Sequence, residues 1–314
     1  MILVTGASGF IGQALCAELL RRRCAVRGVV RSHGAVAQAI MPVSVVSEIN
    51  ADTNWSVALD GVEVIIHLAA RMPVMHDTAV DPLVEFRRVN TAGTEHLAQC
   101  AAVSGVKRLI YVSSVNVNGD ETRDGQKFSE TDEPAPQGPY GISKWEAEQA
   151  LCRVARETGL EVVIVRPPLV YGPSAKGNFI SLLTAINKGI PLPLAGANNV
   201  RSLIYVNNLV DALIVCATHP AAAGQTYLIS DGADVSVAVL VKEIAHSLGR
   251  HNRSFYLPPT WLRVLATLLR RSDQIDRLLG SLRVNDKKIR GELCWVPPYT
   301  LEQGLRITAD WLRN

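Results

Sequence analysis

The chain has 314 residues, 48 % of them hydrophobic and 19 % charged, with a formal net charge of +3. That is ample material for one large or two intimately joined domains. A nucleic-acid binder is excluded, because basic residues are balanced by acids and aromatics are few. No apolar run reaches the roughly 20 residues of a membrane-spanning helix. The six cysteines are far apart and form no C-x-x-C pair, so buried free thiols in a reducing compartment are expected. With no targeting segment ahead of the first strand, that compartment is expected to be the cytoplasm.

The chain opens on an apolar strand, Ile2–Thr5, which breaks into Gly6, Gly9 and Gly12, with Ala7, Ser8, Phe10 and Ile11 between them. An amphipathic helix, Gln13–Arg22, follows. Strand, glycine turn and helix start are the context in which backbone amides approach a pyrophosphate at the positive end of a helix dipole. The pattern points to a dinucleotide. Further strands are predicted at Ala25–Arg31, Val43–Glu48, Val64–Leu68, Arg108–Ser113 and Glu161–Arg166. Helices are predicted at Thr91–Ala102 and Tyr140–Glu157. Such alternation reads as α/β: a Rossmann-like, doubly wound parallel sheet that binds ligands at the carboxyl ends of its strands.

Past Pro173 the pattern changes. Loops rich in Pro, Gly and Asn (Gly189–Asn199) alternate with short strands at Leu203–Tyr205 and Gln225–Ile229 and helices at Val237–Leu248 and Thr260–Leu269. Residues 1–172 are therefore expected to form the dinucleotide-binding domain, with sheet contributions from later segments. Residues 173–314 are expected to form mainly a smaller, mixed α/β substrate-binding cap. The apolar stretch Pro259–Leu269, ending in two arginines, reads as a helix of that cap, with contact to a membrane surface as the alternative.

Chemistry concentrates at two places. Tyr140 and Lys144 are four apart at a helix start and share one face. A lysine ammonium near a phenol favours the phenolate, so Tyr140 is expected to titrate below the usual value of about 10 and to exchange protons with a carbonyl or alcohol oxygen. Ser113 and Ser114 end a strand at the ligand edge, where a hydroxyl can hold the reacting oxygen.

Together these residues resemble an extended short-chain dehydrogenase/reductase of the NAD(P)-dependent epimerase/dehydratase type. The resemblance runs nearly end to end, through Thr5-Gly6-x-x-Gly9-x-x-Gly12, His67-Leu68-Ala69-Ala70, Asn90-x-x-Gly93-Thr94, Ser113-Ser114, Tyr140-x-x-x-Lys144, Arg166-Pro167-Pro168 and Tyr171-Gly172-Pro173. It implies that Tyr140 is the acid/base and that Lys144 holds the nicotinamide ribose. It also implies that Ser114 binds the sugar oxygen and that Asn90 braces the site. Leu68, Ala69 and Ala70 would line the cofactor, Asp52 would meet the adenine, and Pro167 and Pro168 would pack near the nicotinamide. Asn178, Pro193, Leu194 and Arg201 match positions that hold the diphosphate and uracil of a UDP-sugar. Similar proteins commonly dimerise through the helices at Thr91–Ala102 and Tyr140–Glu157, which implies a homodimer.

Three departures bear on mechanism. Arg31 stands where such epimerases carry an acid for the adenosine ribose, which suits a 2′-phosphate and hence NADP, with NAD the alternative and Arg27 or His33 assisting. Leu169 replaces a phosphate-binding Asn of hexose 4-epimerases, and Asn118 replaces a loop aromatic. Val115 and Asn116 lack the acidic doublet of a 4,6-dehydratase. The whole chain is most similar to bacterial 4-reductases of UDP-2-acetamido-2,6-dideoxy-hexulose in O-antigen synthesis, so a UDP-sugar 4-ketoreductase is the expectation. A UDP-hexose or UDP-N-acetylhexosamine 4-epimerase with tightly held NAD is the first alternative, and a non-catalytic NADP sensor the second. A reductase of a non-nucleotide ketone is a minor variant of the first reading.

Overall fold

In this computed structural model, residues 1–32, 41–73, 79–258, 261 and 280–313 are described. Seven parallel strands form the main sheet: β1 (Ile2–Thr5), β2 (Val26–Val30), β3 (Val43–Val45), β4 (Val64–His67), β5 (Arg108–Val112), β6 (Glu161–Arg166) and β9 (Thr226–Leu228). Their order is β3-β2-β1-β4-β5-β6-β9. Ile2 pairs with Val26 on one side and with Val64 on the other, so the winding direction reverses about β1. In doubly wound sheets that reversal is where ligands bind, in the crevice outside the strand ends.

The strands are buried on both faces, and successive residues serve opposite layers. Leu3, Ile65, Leu109, Tyr111 and Val162 pack against α4 (Gly93–Val103) and α5 (Gly138–Thr158). Their neighbours Val4, Ile66, Ile110, Val112 and Val163 pack against α1 (Phe10–Arg21) and α7 (Val206–Thr218). Strand ends agree with the predicted ones to within a residue except at β3, which stops three residues short of Glu48, and at β8 (Val200–Tyr205), which starts three residues before Leu203.

A second sheet of three strands, β10-β8-β7, comprises β7 (Leu169–Tyr171), β8 (Val200–Tyr205) and β10 (Asp234–Ser236). It shares a separate core with α6 (Asn178–Asn187), α8 (Val237–Ser247) and α10 (Leu301–Arg313), around Tyr171, Phe179, Leu240 and Leu305. A short α9 (Lys287–Leu293) precedes α10. The chain returns from this layer to the first: α7 covers the main sheet, and β9 extends it beside β6. The predicted helix at Thr260–Leu269 and the residue His33 lie outside the described residues. The cysteines correct an expectation. All six are free, but only Cys16 and Cys216 are buried, while Cys152 and Cys294 are exposed.

Candidate active site

The turn after β1 is built around the absence of side chains. Gly6 adopts φ +69°, and a Cβ there would lie 2.9 Å from the Ala69 backbone nitrogen. A Cβ on Gly12 would meet the Gly6 carbonyl oxygen at 2.1 Å, far inside contact distance. The turn, the start of α1 and the Leu68–Ala70 segment therefore pack backbone on backbone. No side chain caps α1 at its N-terminus, which leaves its first amides directed to the crevice. Half-buried Leu68, Ala69 and Ala70 face this turn from the end of β4. A glycine cradle of this shape, opening on an uncapped helix, fits a dinucleotide pyrophosphate.

A buried hydrogen-bond chain ties the two walls together. Thr5 Oγ1 accepts from the Leu68 and Ala69 amides and meets His67 Nδ1 at 2.6 Å; His67 Nε2 meets Thr94 Oγ1 at 2.9 Å. Burial and the nearby Lys144 charge push His67 down to about 3, so this imidazole is neutral. Asn90 lies in a six-residue π-helical turn, Arg87–Ala92, a rare geometry that re-aims a side chain. Its amide accepts from the Arg71 N–H at 2.8 Å and donates to Ser143 Oγ at 3.0 Å, bracing α5 one residue before Lys144.

Tyr140 and Lys144 lie in the first two turns of α5, whose start carries Pro139. Tyr140 is half-buried and packs edge-on against Phe86. Lys144 is buried: its Nζ donates to the Val112 carbonyl at 2.9 Å and stands 4.6 Å from the centre of the Tyr111 ring. The expected fall in the Tyr140 pKa is not seen. Desolvation pushes it up to about 12, opposed only by a hydrogen bond with Ser114. The reason is geometric, because the ammonium is held by Val112 and Tyr111 and lies 5.9 Å from the Tyr140 ring. Burial likewise pushes Lys144 down to about 7. Ser114 Oγ donates to Asn116 Oδ1 at 2.9 Å, and the Asn116 amide donates to Asp120 at 2.7 Å. Ser114, Tyr140 and Lys144 are thus brought together at the ends of β5 and β6, beside buried Pro167 and Pro168. They form a hydroxyl, a phenol and an ammonium suited to proton exchange at an oxygen.

The remaining residues are more dispersed. Arg31 follows β2 and Asp52 lies in a turn, both exposed. Asn178 is exposed at the start of α6, and Pro193 is half-buried. Leu194 is 4 % exposed and belongs to the core of the second layer, so its side chain is not offered to a ligand. Arg201 donates to the Gly280 carbonyl at 2.9 Å, and Asp120 is a nearby opposite charge. Tyr111 and Glu148 were not singled out as site residues, although the Tyr111 ring lies beneath Lys144 Nζ and Glu148 is the opposite charge near it. For Glu148 a signal existed: it follows Lys144 by four residues on the same helical face.

A family model for the NAD dependent epimerase/dehydratase family matches residues 2–230. The chain belongs to that family. A UDP-glucose 4-epimerase of Vibrio cholerae is 43 % identical over 311 residues, covering 98 % of this chain and 94 % of that protein. An Escherichia coli O157:H7 4-epimerase of N-acetyl-alpha-D-glucosaminyl-diphospho-ditrans,octacis-undecaprenol is 27 % identical, over 99 % and 94 %. Among solved structures, MoeE5 in complex with UDP-glucuronic acid and NAD is 26 % identical with a TM-score of 0.78, covering 99 % and 98 %. The expected narrower kinship, with UDP-sugar 4-reductases, is not what these relatives of the NAD-dependent epimerase/dehydratase family are named for. Among the described residues no helix is long and apolar enough to cross a membrane.

Proposed function

We propose that this chain is a UDP-sugar 4-epimerase working with a resident NAD. The reading is carried by the 43 % identity to a UDP-glucose 4-epimerase across almost the whole of both chains. It replaces the 4-ketoreductase expected from sequence. The glycine turn, Leu68–Ala70 and Lys144 would hold the dinucleotide, with Arg31 and Asp52 at its adenosine end. When bound, the nicotinamide supplies a two-electron oxidation at the sugar C4 and its reversal.

The protein's own residues handle the proton. Tyr140 Oη would take the proton of the C4 hydroxyl as that carbon is oxidised and return it to the same oxygen when the carbon is re-reduced from its other face. Ser114 Oγ holds the same oxygen. A phenol pushed up to about 12 is protonated at neutral pH, so Tyr140 rests as a donor. It becomes an acceptor when a cation such as Lys144 moves closer to its oxygen. Arg201 and Asn178 are suited to the diphosphate, since a guanidinium fork bonds phosphate oxygens in pairs. The active unit is a cytoplasmic homodimer joined through α4 and α5.

Arg31 favours a second reading, an NADPH-dependent 4-ketoreductase of a UDP-4-keto-6-deoxy-N-acetylhexosamine. One experiment separates the two. Denatured, purified protein is assayed for released NAD, and native protein is incubated with UDP-glucose or UDP-N-acetylglucosamine without added reductant. Released NAD with C4-epimerised product supports the epimerase. No epimerisation, with NADPH consumed on the 4-keto sugar, establishes the reductase.

A further inference from the structure

Behind Tyr140 and Lys144 lies an ion pair with no part in the proton chemistry above. Glu148 on α5 and Arg166 at the end of β6 are 2 % and 4 % exposed. Arg166 Nε and Nη2 donate to the two carboxylate oxygens at 3.0 and 2.5 Å, a forked geometry. The same pair reaches both sides of Ser114. Ser113 Oγ donates to Glu148 at 2.5 Å, and Arg166 Nη1 donates to Asn118 Oδ1 at 3.0 Å. Between these anchors run Ser114 and the tight turn Val115–Val117. The guanidinium also lies 5.9 Å from the ring centre of Trp145, the residue after Lys144. A buried ion pair adds little net stability, because desolvating both ions costs about what their attraction returns. Its consequence here is registration: one pair fixes β5's end, β6's end and α5 against one another.

We propose that Glu148 and Arg166 are positioning residues, which lock Ser114 and Lys144 into a common register, and that Glu148 is also the counter-charge of the Lys144 ammonium. Charged and titratable groups face Lys144 from three elements: His67 from β4, Tyr111 from β5, and Tyr140 and Glu148 from α5 itself. His67 is neutral, so Glu148 alone among these carries negative charge. It opposes the desolvation that pulls the ammonium down. The kinetic part rests on the epimerase reading; the register and counter-charge do not.

The test compares Glu148→Gln, Arg166→Lys and the double variant Glu148→Met with Arg166→Met. Melting temperature, kcat, KM and the pH titration of the Lys144 Cε resonance in 13C-lysine protein are measured for each. Glu148→Gln is expected to lower kcat at least ~10-fold with KM within ~2-fold, and to move the Lys144 titration down by about half a pH unit or more. Arg166→Lys, which keeps the charge but loses the fork, is expected to lower kcat with the Lys144 titration less displaced. The double variant is expected to melt near the wild-type temperature while kcat stays at least ~10-fold down. Wild-type kcat in a stably folded double variant would overturn the proposal. So would an unchanged Lys144 titration in Glu148→Gln with kcat per folded molecule intact. Should the wild type turn over no UDP-sugar, the epimerase reading fails, and the Lys144 titration alone decides: displaced supports the counter-charge, unmoved overturns it.

Discussion

The two ends of the strand-edge crevice are built on different principles. At the end holding Ser114, Tyr140 and Lys144, the supporting polar groups are buried and partnered: Lys144 with Val112, Asn90 with Arg71 and Ser143, His67 with Thr5 and Thr94. At the other end Arg31 and Asp52 stand in solvent. Folding therefore fixes the geometry around Ser114, Tyr140 and Lys144, because unmaking one buried contact leaves another group unsatisfied. The outer end is decided by side chains on which the fold does not depend. Changes at the inner end should cost chemistry or stability, and changes at the outer end should alter only which cofactor is preferred.

The sharpest way to break that contrast is Tyr140→Phe. It is expected to lower kcat about 10³-fold, roughly 4 kcal/mol, with the melting temperature nearly unchanged; a loss below tenfold would remove Tyr140 from the proton path. Next is Gly12→Ala, whose Cβ would meet the Gly6 carbonyl at 2.1 Å. Displacing that turn should cost up to ~3 kcal/mol in stability or in NAD affinity, read by thermal denaturation and calorimetry.

His67 provides a pH test. Its folded pKa of about 3 lies below the unfolded 6.5, so the unfolded chain binds the extra proton between those values. The contribution is present above pH 6.5 and is lost as pH falls toward 3. From pH 7 to pH 5 it removes about 2 kcal/mol. In His67→Asn the urea-unfolding free energy should fall less steeply over that interval by about this amount; equal slopes would place the proton elsewhere. The smallest effect is expected at Arg31. Arg31→Asp should shift relative affinity from NADP toward NAD by about tenfold, ~1.4 kcal/mol, without moving the melting temperature. A shift in melting temperature would show that the outer end also supports the fold.

Legibility from sequence follows the same division. The strands β1, β4, β5 and β6 are short apolar runs bounded by turn residues, and their ends could be placed to within a residue. Ser113 and Ser114 were visible because they follow such an end, and Tyr140 and Lys144 because they stand four apart at a helix start after Pro139. The helix α7 was not visible. Seven of its last ten residues, from Leu209 to Ala217, are buried, so it is apolar nearly all round and shows little amphipathic period. The π-helical turn that places Asn90 depends on packing against α5 rather than on local propensity. The pairing of Glu148 with Arg166 joins residues 18 apart on different elements, a separation at which one sequence carries no signal. Alpha10 is a plain omission, since Leu301, Leu305, Ala309 and Leu312 repeat at helical spacing.

The return of α7 and β9 to the first layer has a consequence for how the chain is made. Until about residue 229 has emerged from the ribosome, β6 has an open edge and the hydrophobic face later covered by α7 lies bare. The sheet is thus closed late, by a strand that pairs with β6 about sixty residues back, Thr226 with Ile164, and an aggregation-prone edge stays exposed during synthesis. A fragment ending at Pro173 would retain the glycine turn, Tyr140 and Lys144, yet lack the strand and helix that close its core.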